Sequence, residues 1–175
     1  MHAVLQLLSG GDRRSIGESN RVVAMVREQP ELMTVLIRGL QSTDPVLRMR
    51  CADAMEKATI DRPELLAPYK KILLRKLSKI EQHEVRWHIA PMFTRLSLSK
   101  NEEVFAVKTL LAYTCDQSSI VKTMAMQALV DLAFHNPALL PEIELHIKEL
   151  TIIGTPAMKT RGKKLLVKLG KAGYA

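Results

Sequence analysis

A chain of 175 residues can form one domain with a hydrophobic core, and two domains only if both are small. Apolar residues make up 47 % and charged residues 25 %, as in ordinary globular proteins, and no run of about 18 apolar residues predicts a membrane span. Aromatic residues account for only 4 %, while the strong helix formers Ala, Leu, Met, Lys and Glu are abundant. This composition favours a helical protein and points away from a β-rich one.

The net charge of +8 is concentrated in two short stretches. Residues 70–79 contain five basic residues and no acid, and residues 159–171 contain six basic residues and no acid. The remainder of the chain is slightly acidic. The sequence therefore predicts two basic patches on a surface that is otherwise not basic.

The first 29 residues are predicted to form an N-terminal cap. The apolar run of residues 3–8 is too short for a signal peptide and has no basic residues before it. Residues 15–28 have the pattern of a helix with Val22, Val23 and Val26 turned inward. A cytoplasmic location is the default expectation. The two cysteines, Cys51 and Cys115, lie in apolar helical patterns and are predicted to be buried, reduced thiols.

Beyond the cap, one apolar pattern occurs four times. Its members lie at offsets 0, 4, 7, 8 and 11 from an anchor, within an arc of about 100° on a helix. The four copies are Leu47, Cys51, Ala54, Met55 and Ala58; Val85, Ile89, Met92, Phe93 and Leu96; Val121, Ala125, Ala128, Leu129 and Leu132; and Met158, Gly162, Leu165, Leu166 and Leu169. The anchors are 38, 36 and 37 residues apart, and a fixed period of this size indicates stacked structural repeats.

A second helix is predicted before each copy. Pro30, Pro63 and Pro137 each precede apolar residues at helical spacing, and proline is favoured in a first helical turn. The third repeat begins instead with Asn101, a residue favoured as an N-cap. The pattern predicts a single domain over residues 1–175, in which helical hairpins follow the cap. The hairpins occupy residues 30–60, 61–99, 100–135 and 136–171.

These hairpins resemble HEAT repeats. The resemblance is carried by the proline before the first helix and by a turn acid followed by an apolar and a basic residue, best seen in Asp44, Leu47 and Arg48. It implies a right-handed α-solenoid in which the second helix of each hairpin lines a concave groove. The period is somewhat shorter than the roughly 40 residues usual for such repeats.

Two columns of residues follow the anchors. Arg48, Arg86, Lys122 and Lys159 occupy offset 1, where a cation either bonds to the turn of a neighbouring repeat or lies free along the groove. Met49 and Trp87 occupy offset 2, roughly opposite the core, as do Thr123 and Thr160. Met and Trp are favoured at binding surfaces, although Trp87 could equally pack against a neighbouring helix. Pro91, one turn after Trp87, is expected to disturb the helix there.

The sequence gives less support to a catalytic function than to a binding function. His83-Glu84 is similar to the paired motif with which the HEAT-like deoxyhypusine hydroxylases hold iron, but several such pairs are needed and this chain has one. HEAT-like DNA glycosylases use a basic, aromatic groove with a carboxylate, and no such carboxylate can be assigned here. We predict a protein that is not an enzyme, with no catalytic residue, no metal site and no cofactor.

The two basic runs form stripes on predicted helices. Arg161, Lys164, Lys168 and Lys171 form one stripe on the last helix, and Lys71, Arg75 and Lys79 form another on a first helix. The sequence thus predicts a non-catalytic scaffold that binds an acidic protein segment or helix through its groove. The alternative is sequence-independent binding of duplex DNA, with the C-terminal stripe contacting phosphates. Neither reading identifies the partner or the oligomeric state.

Overall fold

The computed structural model describes residues 2–171, and every regular element in that range is a helix. The predicted all-α class is therefore confirmed. The chain divides into two compact units, Met1–Ser97 and Leu98–Ala175. This division lies two residues from the predicted boundary between the second and third repeats. The single-domain organisation and the handedness of the stack stay predictions.

The first unit contains six α-helices. They are α1 (Ala3–Leu8), α2 (Ser19–Glu28), α3 (Leu32–Gly39), α4 (Pro45–Ala58), α5 (Lys70–Arg75) and α6 (His83–Phe93). Two 3₁₀ segments, Pro63–Tyr69 and Leu77–Lys79, flank α5, so the first helix of the second predicted hairpin is a broken one. Pro68 within the earlier segment accounts for part of this irregularity, because proline cannot donate a helical hydrogen bond.

Helix α4 is the centre of the first unit. It packs against α2 on one side and α6 on the other, and it also contacts α1 and α3. Asp44 caps its N-terminus by accepting a hydrogen bond of 2.9 Å from the Val46 amide, and Pro45 occupies the first turn. A helix surrounded in this way buries more than one stripe of its surface.

The second unit contains four α-helices. They are α7 (Lys100–Tyr113), α8 (Ser119–His135), α9 (Leu140–Ile153) and α10 (Pro156–Lys171). Helix α8 packs against α7, α9 and α10, and α9 packs against α10. A 3₁₀ turn, Pro137–Leu139, precedes α9, in keeping with the predicted proline start.

The repeated apolar pattern forms the core of both units. All its members are buried except two, Leu96 and Leu166, which are half-buried. Leu96 is only half-buried because it lies beyond α6, which ends at Phe93, two residues after Pro91. The inward placement of Val22, Val23 and Val26 in α2 is likewise confirmed.

Two local predictions are wrong. Helix α7 begins at Lys100 and its N-cap is Ser99, which forms a capping box with Glu102, so Asn101 lies inside the helix. Cys51 is buried, and burial raises the pKa of its thiol to about 12, but Cys115 is exposed. Cys115 lies two residues beyond the end of α7, in the turn before α8, and so outside the helical pattern that predicted its burial.

Candidate functional site

Arg48 and Arg86, two of the predicted partner-binding cations, bond to the turns that precede their own helices. The Arg48 guanidinium donates to the carbonyls of Ser42 and Thr43 at 2.8 and 3.1 Å, and to the Gln82 side chain at 2.8 Å. Arg86 donates to the Ile80 carbonyl at 3.0 Å. The Arg48–Gln82 bond reaches the turn of the next repeat, as the structural alternative for the offset 1 column expects, whereas the carbonyl bonds of both arginines go to the turn of their own repeat.

The structure contradicts the predicted role of Met49 as a partner-binding residue. Its side chain is only 5 % exposed, so it belongs to the core and presents no surface to a partner. The cause is the position of α4, which has neighbours on several sides and buries the face opposite the anchors. Met49 is therefore a core residue and not part of the binding surface.

Trp87 is half-buried and its ring meets the ring of His88 edge-on, with centroids 5.9 Å apart. His88 in turn faces two carboxylates of α4. Its Nε2 lies 3.8 Å from Asp53, and its Nδ1 lies 4.0 Å from Glu56. This places an aromatic side chain beside a polar cluster at the α4–α6 interface.

The polar cluster is internally satisfied. Asp53, which is 5 % exposed, accepts hydrogen bonds from Ser19 and, at 2.8 Å, from Lys57. Glu56 forms an ion pair with Arg95, and Arg95 also donates to Thr59 at 2.8 Å. Each carboxylate has a cationic partner, and these bonds join α2, α4 and the segment that follows α6.

The cluster should make stability depend on pH. Burial lowers the pKa of His88, outweighing the attraction of Asp53 and Glu56 for a proton, and nearby Lys57 lowers it further. The unfolded chain thus takes up the proton first. We expect the free energy of unfolding to fall as pH decreases below about 6.5 and to level off below the folded-state pKa.

Denaturant unfolding at about pH 7.5 and about pH 5.5 measures this dependence. His88→Asn should remove part of the loss, whereas His135→Gln, an exchange at an exposed histidine, should leave it unchanged. A loss of equal size in all three proteins would contradict the assignment to His88.

The second unit contains a cleft of about 490 Å³ between α8 and the start of α10. Thr123 and Thr160, both at offset 2, lie on its two walls, and Arg161 and Lys164 belong to the predicted phosphate-binding stripe. Its lining residues are Thr123, Pro156, Ala157, Thr160, Arg161 and Lys164. Four residues from two separately predicted sets therefore meet in one cleft.

The four cations of the C-terminal stripe differ in their surroundings. Arg161 donates to the Gln127 side chain at 3.1 Å, and Lys168 pairs with Asp131 at 2.9 Å and lies 4.8 Å from the centre of the Phe134 ring. These two cations hold α10 against α8. Lys164 and Lys171 are exposed and make no side-chain hydrogen bond or ion pair within residues 2–171.

Two further cations of the predicted set lie in the second unit. Lys159 is exposed, and Lys122 is half-buried. Within the described part of the chain, neither makes a side-chain hydrogen bond or an ion pair. The second unit is thus where the predicted cations remain available, whereas Arg48 and Arg86 in the first unit are occupied.

The stripe on residues 71–79 is only partly helical. Lys71 and Arg75 lie in α5, whereas Lys79 ends the following 3₁₀ segment. All three are exposed. Because the two segments have different pitch, these cations do not follow the regular helical row that their spacing predicted.

A metal site and a membrane span are both absent from the described residues. No group of three or more His, Cys, Asp or Glu side chains between residues 2 and 171 is placed to hold a metal ion. Over the same range, no helix combines the length and the apolar character that a bilayer span requires. Comparison with models of protein families, with curated proteins and with solved structures gives no match.

Proposed function

We propose that the protein is a non-catalytic binding module built from HEAT-like hairpins, and that the basic surface of its second unit accepts an acidic protein segment. The packing within each unit supports the repeat assignment. In the first unit α4 packs against α6, and in the second unit α8 packs against α10. Second helices of successive hairpins are expected to stack in this way.

The cleft between α8 and α10 is the observation that carries the proposal. Arg161 is fixed by Gln127, so that its charge is held at the cleft, and Lys164 has no partner among the described residues. Lys159 is a further exposed cation on the same helix, outside the residues that line the cleft. Carboxylate side chains on an extended or helical segment would supply the opposite charges.

Duplex nucleic acid is the second candidate for the same surface. The six basic residues without an acid over residues 159–171 favour it, because phosphate neutralisation gives sequence-independent affinity. The neutralisation of Lys168 by Asp131 and the small size of the cleft favour the acidic segment instead. An enzymatic role has no support from the polar cluster of the first unit, since its carboxylates are paired.

The test is a titration of the full chain with a labelled peptide of alternating Glu and Gly, followed by fluorescence anisotropy. We expect binding at low salt, and no binding of the same peptide with Gln in place of Glu. Lys159→Glu/Lys164→Glu should raise Kd about tenfold or more, because two favourable charge contacts become repulsive. Lys108→Glu, at an exposed lysine of α7, should change it by less than about twofold.

Unlabelled duplex DNA as a competitor distinguishes the two candidates. If DNA displaces the peptide at the lower concentration and its own affinity falls steeply with salt, the nucleic-acid alternative replaces the proposal. Failure of the peptide to bind at any salt concentration refutes the proposal directly.

A further inference from the structure

The outward face of α9 is both apolar and acidic. Glu142, Leu145, Glu149 and Ile152 lie within an arc of about 80° on the side opposite the buried stripe. Leu145 and Ile152 are 60 % and 72 % exposed, among the most exposed large apolar side chains of residues 2–171. Lys148, nearby on the helix, is paired with Glu144 at 2.5 Å. Glu149 lies 4.0 Å from His146 Nδ1, and Glu142 has no ion-pair partner among the described residues, so this face carries negative charge.

The outward face of α10 has the same pattern with the opposite charge. Lys164, Val167 and Lys171 lie within about 60° of one another on that helix. Val167 is 58 % exposed, and the two lysines have no partner within the described residues. An exposed valine between two lysines is thus the counterpart of an exposed leucine between two glutamates.

The two faces also agree in spacing. Glu142, Leu145 and Glu149 are separated by three and four residues, and so are Lys164, Val167 and Lys171. On both helices the charges are therefore about 10.5 Å apart with one apolar side chain between them. Two helices laid side by side in this register would pair both charges and cover both apolar side chains.

We propose that the outward face of α10, with Lys164, Val167 and Lys171, binds α9 of a second copy of this chain. This inference rests on the proposed function, because α9 would be the acidic helix that the basic surface accepts. Faces on two helices of the same unit permit a two-fold arrangement, in which α9 of each copy lies on α10 of the other. Such an interface is closed, because residue i contacts residue j and j contacts i. Its contacts are few and charged, so the dimer is expected to be weak and sensitive to salt.

Sedimentation velocity of the full chain tests this inference. We expect reversible dimerisation at about 50 mM salt that is lost by about 500 mM. Glu142→Lys/Glu149→Lys and Lys164→Glu/Lys171→Glu should each weaken self-association about tenfold or more. An equimolar mixture of the two variants should dimerise again, because both contacts in the mixed pair join opposite charges.

Circular dichroism shows whether each variant folds, and Glu28→Lys and Lys108→Glu supply single charge reversals of the same two kinds at exposed positions of α2 and α7. The inference fails if the chain is monomeric at about 50 mM salt, if a dimer is insensitive to both variants, or if the mixture does not recover. Peptide binding by Glu142→Lys/Glu149→Lys tests the proposed function separately, since that variant keeps all the cations of α10. Binding without dimerisation of the original chain refutes only the inference.

Discussion

Replacement of Arg50 by methionine is expected to lower the free energy of unfolding by about 3–5 kcal/mol, because several hydrogen bonds from a charged donor, each worth about 1.5–3 kcal/mol, are lost together. Arg50 is 3 % exposed, and its guanidinium is surrounded by backbone carbonyls of the segment that joins α1 and α2. The acceptors are the carbonyls of Leu8, Ser9, Gly10, Asp12 and Ser15, at 3.0, 3.4, 2.7, 3.2 and 3.0 Å. Methionine keeps the length of the side chain but leaves these carbonyls without their donor.

The same variant should loosen one segment in particular. Residues 9–18 contain no regular structure, and Gly10, Gly11 and Gly17 adopt positive φ values that let the chain turn around the guanidinium. A Cβ at Gly17 would approach Arg50 to 2.8 Å. Amide hydrogen exchange of the Arg50 variant is therefore expected to increase most in this segment and in α1.

Arg48→Met is the matched control, because Arg48 is only half-buried and bonds to fewer carbonyls. It should cost about 1–2 kcal/mol and leave exchange in residues 9–18 unchanged. A loss below about 1 kcal/mol for Arg50→Met, with protection retained over residues 9–18, would show that the carbonyls do not depend on the arginine.

Arg50 also shows what hydrophobic periodicity can and cannot predict. The apolar offsets identify the stripe of α4 that faces the rest of its repeat, and that stripe is buried throughout. They give no information on a second neighbour, and α4 has α1 and α2 as well as α3 and α6 around it. Met49, Arg50 and Asp53 are buried for this reason, although all three lie outside the stripe.

The candidate site was predictable in outline only. Composition and spacing place Arg161, Lys164, Lys168 and Lys171 in one stripe, and the offsets place Thr123 and Thr160 in one column. Which cations are occupied depends on Gln127, which accepts a hydrogen bond from Arg161, and on Asp131, which pairs with Lys168; both lie more than 30 residues earlier in the chain. A single sequence contains no signal for such pairing, so the free and the occupied cations could be separated only in three dimensions.

The sequence did not predict the polar cluster around His88, for a related reason. Asp53, Glu56 and Arg95 occupy positions that a helical pattern assigns to polar surface, and each is at least four-fifths buried as a side chain. Acids at i and i+3 on α4 and a histidine on α6 would have been the available signal. That signal is weak, because such residues occur on most solvated helix faces.

Gly162 is expected to tolerate a larger side chain poorly. It occupies an anchor-pattern position in α10, and a Cβ there would lie 2.0 Å from Thr151 Oγ1 and 3.0 Å from Thr151 Cβ, both on α9. Gly162→Leu should therefore lower the free energy of unfolding by about 3 kcal/mol, because α9 and α10 must separate. Thermal and denaturant unfolding monitored by circular dichroism measure the loss.

A double-mutant cycle identifies the contact responsible. Gly162→Ala alone should be destabilising, since the clash with Thr151 exceeds the roughly 1 kcal/mol that alanine gains over glycine in a helix. Thr151→Ala removes the Oγ1 atom, which otherwise donates to the Ile147 carbonyl at 2.6 Å. In the double variant the higher helix propensity of alanine over glycine should again stabilise the protein. The coupling between the two positions should be about 1–2 kcal/mol. Additive losses would mean that the glycine is needed for some reason other than the close approach of α9 and α10.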